Sequence, residues 1–254
     1  MLVIRQEQLE AFRNQALANF EDEMVAHGTQ FSPRLCALLG DKQTRVAVRR
    51  ALMRAGSFGF TNRGPLRLFT ELAFLFGSGF YNDPQYPWAA QILKSPDDQM
   101  HRAQQLYDRT IDYQEKVSGV NAVNTRTDLQ NVSIFARGSV TFSADSFLRA
   151  MLQAMAQIFP EKAAYVGEEA LGTLTREGSA VARRYQIPNL RGEVLIIAMM
   201  FSFGHACADD PLYEWISRTL KDDRIVGPAA RAARLERKAL TWLDHVLQSL
   251  AQPE

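Results

Sequence analysis

The sequence predicts an all-α protein built as a duplicated helical bundle, two tandem repeats of about five to six helices packed with pseudo-two-fold symmetry. Three observations predict it. Apolar residues recur at helical spacing through most of the 254 residues. Asp-Pro, Ser-Pro and Gly-Pro pairs punctuate the chain where helices should start. A block near residue 80 also returns 127 residues later.

The first copy of that block is FGSGFYNDPQYPWAAQILK, from Phe76 to Lys94, and the second is FGHACADDPLYEWISRTLK, from Phe203 to Lys221. They share 8 of 19 positions, where ordinary composition gives about one. The pairs are Phe76/Phe203, Gly77/Gly204, Asp83/Asp210, Pro84/Pro211, Tyr86/Tyr213, Trp88/Trp215, Leu93/Leu220 and Lys94/Lys221. Gly40/Gly167, Phe20/Phe147 and Met24/Met151 obey the same offset. Each match has a structural use. Asp before Pro can N-cap a helix whose first position the Pro fills, so Asp83-Pro84 and Asp210-Pro211 should each open one. Gly77 and Gly204 should end a buried helix, and Trp88 and Trp215 should face the core.

In chain order, Leu9, Phe12, Leu17, Phe20 and Met24 predict a helix closed near Gly28. Ser32-Pro33 opens a short helix ended by Gly40, and Asp41 caps the next, with Val48, Leu52 and Ala55 on one face. Gly64-Pro65 starts a helix (Leu68, Phe69, Leu72, Ala73, Phe76) apolar nearly all round and hence central. Ser95-Pro96-Asp97-Asp98 opens a long helix from Met100 through Val117. The second unit repeats the order: Ser143–Ile158, Glu168–Tyr185, the apolar Arg191–Phe203, Pro211–Leu220 and Ala229–Leu250. The domains are therefore 1–117 and 144–254, joined by an irregular linker at 118–143.

That linker is rich in Asn, Thr, Ser and Gly, and its helix propensity is low. Val132–Phe135 and Val140–Phe142 flank Arg137-Gly138-Ser139, which fits a short β-hairpin or a covered loop. It is the one segment the repeat does not explain, and connecting segments carry function more often than core helices do. Ile134, Phe135, Arg137 and Phe142 are its candidate partner-binding residues.

Composition narrows the function. Lys plus Arg total 29 against 28 Asp plus Glu, a net charge of +1, so no global basic excess points to nucleic acid. The run Arg45, Arg49, Arg50, Arg54 lies at helical spacing and reads as a solvated face. The longest apolar stretches are too short to span a bilayer. The opening MLVIRQEQLEAF lacks the pattern of a signal peptide, so a cytoplasmic protein is expected. Cys36 and Cys207 suggest core residues rather than a disulfide framework.

Chemistry-bearing motifs are lacking: HExxH, CxxC, GxSxG, the Walker loop and GxGxxG do not occur. The nearest to a constellation is His205-Ala-Cys207-Ala-Asp209-Asp210, where a Cys–His pair could make a thiolate nucleophile. The other copy has Ser78 and Phe80 at the matching places, so the fold does not require it. Glu21/Glu23 fall on different helix faces, and Asp97/Asp98 and Glu168/Glu169 suit helix N-termini. No catalytic residue, metal site or cofactor is expected.

The pattern VIRQEQLEAF…NFEDEMVAH, with the FGSGFYNDPQYPWAAQIL block and the long helix after it, resembles a group of bacterial helical proteins. These are encoded beside PAAR spike proteins and effectors of type VI secretion (the TecT-like effector chaperones). Asp83-Pro84…Trp88 is the most specific part, and the match covers most of the first unit. The resemblance implies a non-enzymatic adaptor or chaperone that holds a secreted effector for loading on its PAAR spike. Alternatives are an immunity protein for a cognate toxin, a structural homodimer, or an enzyme of unrecognised type. The expected partner is a protein, with no nucleic acid and no membrane.

Overall fold

The computed structural model describes residues 6–138, 146–187 and 189–251. Among them every regular element is helical. In chain order these are α1 (Gln6–Phe31), α2 (Pro33–Ser57), α3 (Arg63–Phe76), α4 (Pro87–Lys94), α5 (Gln99–Tyr113) and α6 (Val123–Arg137). Then come α7 (Phe147–Ile158), α8 (Pro160–Val166), α9 (Glu168–Arg184), α10 (Leu190–Phe203), α11 (Glu214–Leu220) and α12 (Pro228–Ala251).

Local signals placed most boundaries. Pro33 and Pro160 fill first helical positions. The Asp98 carboxylate caps α5, accepting the Met100 N–H at 2.8 Å and the His101 N–H at 3.2 Å. Asn189 caps α10 through the Gly192 N–H. Gly40 interrupts α2 with φ 71° and ψ 163°, a conformation that β-carbons disfavour.

Four expectations need correction. α1 runs past Gly28 to Phe31; Gly28 lies over the Phe74 ring, with space for a β-carbon only 3.4 Å from it. α5 stops at Tyr113 and passes into a single π turn, Gln114–Ser118. α4 begins at Pro87, not Pro84, because Asp83 and Pro84 form the preceding turn in which the Tyr86 N–H bonds to the Asp83 carbonyl. Finally, the first half of the expected hairpin, Val132–Phe135, lies inside α6; Val140–Phe142 falls outside the described residues. Packing supplies α6 with what propensity does not. Its Asp128 is buried, its Asn131 side chain donates to the Ile158 carbonyl at 3.2 Å, and Arg137 reaches Asp244 of α12 at 2.6 Å.

Backbone geometry recurs 127 residues apart. Both ends of α3 and α10 obey that offset. Asn62 and Asn189 have φ/ψ of −81/145° and −82/144°, and Gly77 and Gly204 have 92/153° and 92/151°.

Among the described residues, buried apolar side chains group into two clusters. One draws its members from the stretch Ala51 to Val117 and includes Phe69, Phe76, Phe80, Tyr86 and Leu106. The other joins Phe20, Met24, Cys36 and Val48 to the residues of α7–α12. Trp88 is buried in the first and Trp215 packs against the second, the core placement expected of both.

The clusters meet where the α3 and α10 C-termini cross. The Asp83 carboxylate accepts the His205 N–H at 2.7 Å, and the Asp210 carboxylate accepts the Ser78 N–H at 2.7 Å. Each also accepts the N–H two residues on, from Gln85 and Leu212, at 2.9 Å. Gly77 and Gly204 permit the crossing. A β-carbon at Gly77 would lie 2.5 Å from the Phe203 carbonyl oxygen, and one at Gly204 2.6 Å from that of Phe76.

Candidate functional site

The His205–Asp210 constellation does not assemble a nucleophile. Cys207 is buried, and burial, then the Asp210 and Asp83 carboxylates, push its thiol well above the usual range. The His205 ring lies instead between Glu177 (3.2 Å) and Asn82 (3.3 Å). Asp210 is committed to the crossing. The basic run on α2 is also committed: Arg45 and Arg49 grip the Glu21 carboxylate at 2.7 and 2.6 Å, Arg50 donates to the Asp209 carbonyl, and Arg54 covers the Tyr81 ring.

A concavity lies between α6, α7, α10 and α12, with a volume of about 410 Å³. This is within the range of ligand-accepting clefts. α6 contributes Leu129, Val132 and Phe135, the 3.6-residue period setting them on one face. α7 supplies Met151, Met155 and Ile158 as buried floor, α10 the side chains from Leu190 to Phe203 that share a face, and α12 Ala239, Leu240, Trp242 and Leu243. The wall residues Val132, Phe135, Leu195, Ala198, Leu240 and Trp242 are half-buried. The charged lining residues are Arg191 and Glu236, which pair with each other.

The candidate residues of the linker separate here. Phe135 lines the recess. Ile134 points away and is 72% exposed. Arg137 bonds to Asp244 and ties α6 to α12. Phe142 lies outside the described residues. Sequence reading missed the walls given by α10 and α12, because each reads as an ordinary core stripe.

A signal for them exists in the repeat. The residues 127 positions before Leu190, Val194, Ala198, Ala239, Trp242 and Leu243 are Arg63, Arg67, Glu71, Asp112, Glu115 and Lys116. Five of these make ion pairs: Arg63 with Glu23, Arg67 with Glu71 at 3.1 Å, and Lys116 with Asp112 at 2.5 Å. Charge thus stands at several of the places that match the apolar lining in sequence.

Two buried charges lie beyond the recess floor. Lys162 donates to the Phe201 carbonyl and sits 4.8 Å from the Phe201 ring, with Phe159 and Tyr86 also around it. Burial lowers its amine to about 8, against the pull of Asp83 and Asp128. Burial raises Asp128 to about 6, helped by Glu161 and opposed by Lys162.

Among the described residues no group of three or more His, Cys, Asp or Glu is placed to hold a metal ion, and no helix is long and apolar enough to cross a membrane. Comparison with protein-family models, with curated proteins and with solved structures gives no match.

Proposed function

We propose that this chain is a non-enzymatic protein-binding adaptor whose apolar recess, between α6, α7, α10 and α12, holds an apolar segment of a protein partner. The supporting observation is the recess itself, whose walls Val132, Phe135, Leu195, Ala198, Leu240 and Trp242 are apolar and half-buried; 127 residues before Val194, Ala198, Ala239 and Leu243 stand the ion pairs Arg67–Glu71 and Asp112–Lys116. Half-buried apolar walls cost solubility, and contiguous patches of that kind are found at binding sites. The sequence resemblance supplies the partner class, a secreted effector of a type VI system bound for its PAAR spike, and a cytoplasmic place of action.

The scaffold in this reading is a tandem duplication about a pseudo-two-fold axis. The reciprocal Asp83–His205 and Asp210–Ser78 bonds support it, as do the equal backbone angles at Gly77 and Gly204. One copy keeps a charged outer face while the other has become the binding face.

Co-expression with the effector encoded beside it tests the function. A soluble complex that survives a sizing column is expected, together with its loss in Ala198→Trp, which fills the recess. An effector that stays bound to a correctly folded Ala198→Trp variant would place the contact elsewhere. Loss of toxicity at equal stoichiometry, with the effector otherwise soluble alone, would make the chain an immunity protein instead.

A further inference from the structure

The four walls of the recess are not anchored alike. α7 buries Met151, Met155 and Ile158, α10 its stripe from Val194 to Phe201, and α12 Leu235 and Leu243. Among its described side chains α6 buries a single one, and it is a carboxylate, Asp128. The apolar Leu129, Val132 and Phe135 of α6 are half-buried and face the recess instead. Buried apolar surface is what chiefly holds a short helix to a fold, so α6 is the wall held least. Its ties are polar: the Asn131 amide on the Ile158 carbonyl, and the Arg137–Asp244 pair, an exposed contact of the kind that adds little. The chain that leads into it is irregular. A π turn at Gln114–Ser118 is followed by Gly119 at φ 71° and by Ala122 at φ 55°, a left-handed conformation that a β-carbon disfavours. Val120 and Val123, on either side of Ala122, are exposed, so packing does little to fix this junction.

The floor of the recess is meanwhile closed. Met151, Met155, Ile158 and Phe201 are only 1–3% exposed, so a partner's side chains reach them only if a wall gives way. Resting on the adaptor reading, we propose that α6 is a hinged wall of the recess, which turns outward about Gln114–Ala122 to admit the partner's apolar segment and then closes against it. Outward movement returns Asp128 to water. In the closed form it faces Glu161 and Lys162 of α8 and lies within the field of Tyr113 of α5. Burial, then Glu161, raise its carboxyl from 3.8 to about 6, against the pull of Lys162. Closure is therefore favoured below about pH 4, and that advantage is lost as pH rises through about 6.

Hydrogen exchange on the full chain, with no partner present, reads the hinge. Once undocked, a helix of 15 residues holds its own bonds only weakly. The α6 amides should therefore exchange as one group, at least about a hundredfold faster than those of α10 after correction for intrinsic rates. That excess should grow on the order of tenfold from pH 4.5 to pH 7, and Asp128→Asn should abolish the growth. Capture of the co-expressed effector reads the consequence. Arg137→Cys and Asp244→Cys, joined by a short bis-maleimide, hold α6 against α12; Cys36 and Cys207 are buried and should not react. The joined protein should still melt cooperatively but lose capture, whereas the same double variant without the linker should retain it.

Exchange of α6 no faster than that of α10 overturns the proposal, as does an excess that does not change with pH. Capture undiminished by the linker also overturns it, and leaves the adaptor reading standing with a recess that fills unopened. If the parent chain captures no effector while α6 exchanges early and with the stated pH dependence, the adaptor reading fails and the hinged wall stands without it.

Discussion

Asp83→Ala should be among the most damaging single substitutions in this chain. The Asp83 carboxylate holds the His205 N–H at 2.7 Å, the Gln85 N–H at 2.9 Å and the Gln85 side-chain amide at 3.2 Å, all in a site 1% exposed. Truncation leaves two backbone donors without an acceptor where water has little access. Each such orphan costs about 1–3 kcal/mol, and bonds to a charged acceptor fall at the upper end. The gain from no longer burying a carboxylate offsets part of this. A net loss of about 3–4 kcal/mol follows, of which roughly half lies on the bond that crosses between the clusters. Urea unfolding followed by circular dichroism should show a lower midpoint with an unchanged slope. At this chain length each kcal/mol moves the thermal midpoint by about 2–4 °C, so a drop on the order of 10 °C is expected. Asp210→Ala should behave alike, since it orphans the Ser78 and Leu212 N–H groups. The double variant should cost less than the sum, because both bonds stabilise one crossing. A loss below about 1 kcal/mol for Asp83→Ala would refute the reasoning, since that is the effect of an ordinary surface change.

Three further outcomes are expected. Gly204→Ala should destabilise by more than about 2 kcal/mol in the same assay, because it adds positive-φ strain to a β-carbon 2.6 Å from the Phe76 oxygen; an unchanged midpoint would count against the tight crossing. Asp128 has its carboxyl raised to about 6 in the fold from a reference near 3.8, so its contribution is present below about pH 4 and lost as pH rises through about 6. Asp128→Asn should remove that decline and, at pH 8, stabilise by at most about 3 kcal/mol, read as the difference between urea midpoints at pH 4.5 and pH 8. Phe135→Ala should weaken effector capture and lower the melting temperature, whereas Ile134→Ala should change stability by less than about 0.5 kcal/mol, because Ile134 is 72% exposed; equal effects would mean that α6 presents a different face to the recess.

Local signals made much of the helical order legible from residues alone. Pro33, Gly40, Asp98 and the apolar stripe of Arg191–Phe203 act within one or two turns of themselves, so neighbouring sequence suffices to read them. The Phe76–Lys94 and Phe203–Lys221 blocks were legible as related for the same reason. The role of their aspartates was not. Asp83 was read as the cap of its own helix, yet one carboxylate oxygen serves the next turn and the other reaches His205, 122 residues away. No local pattern encodes that second bond. α6 shows the opposite failure. Its Asn, Thr and Ser favour turns when judged singly, but Asp128, Asn131 and Arg137 find partners or burial against α7, α8 and α12, and that packing outweighs a few tenths of a kcal/mol per residue of unfavourable propensity.

The recess was half visible. Phe135 and Arg137 lay in the one segment the repeat left unexplained, and the structure places the first in the lining and the second in the clasp between α6 and α12. Its other walls read in sequence as core, because Leu195, Ala198 and Leu240 fall on the inward stripe of amphipathic helices. By itself the sequence determined that the chain is helical, where several of the helices start, which stripe of each of those is apolar, and that one block recurs. Only the tertiary structure decided that the stripes of α6 and α10 do not close on each other, leaving a space of about 410 Å³. The physical reason is that apolar periodicity records a side chain's need for cover, while the distance between two helices depends on side chains far apart in the chain and on how they pack together.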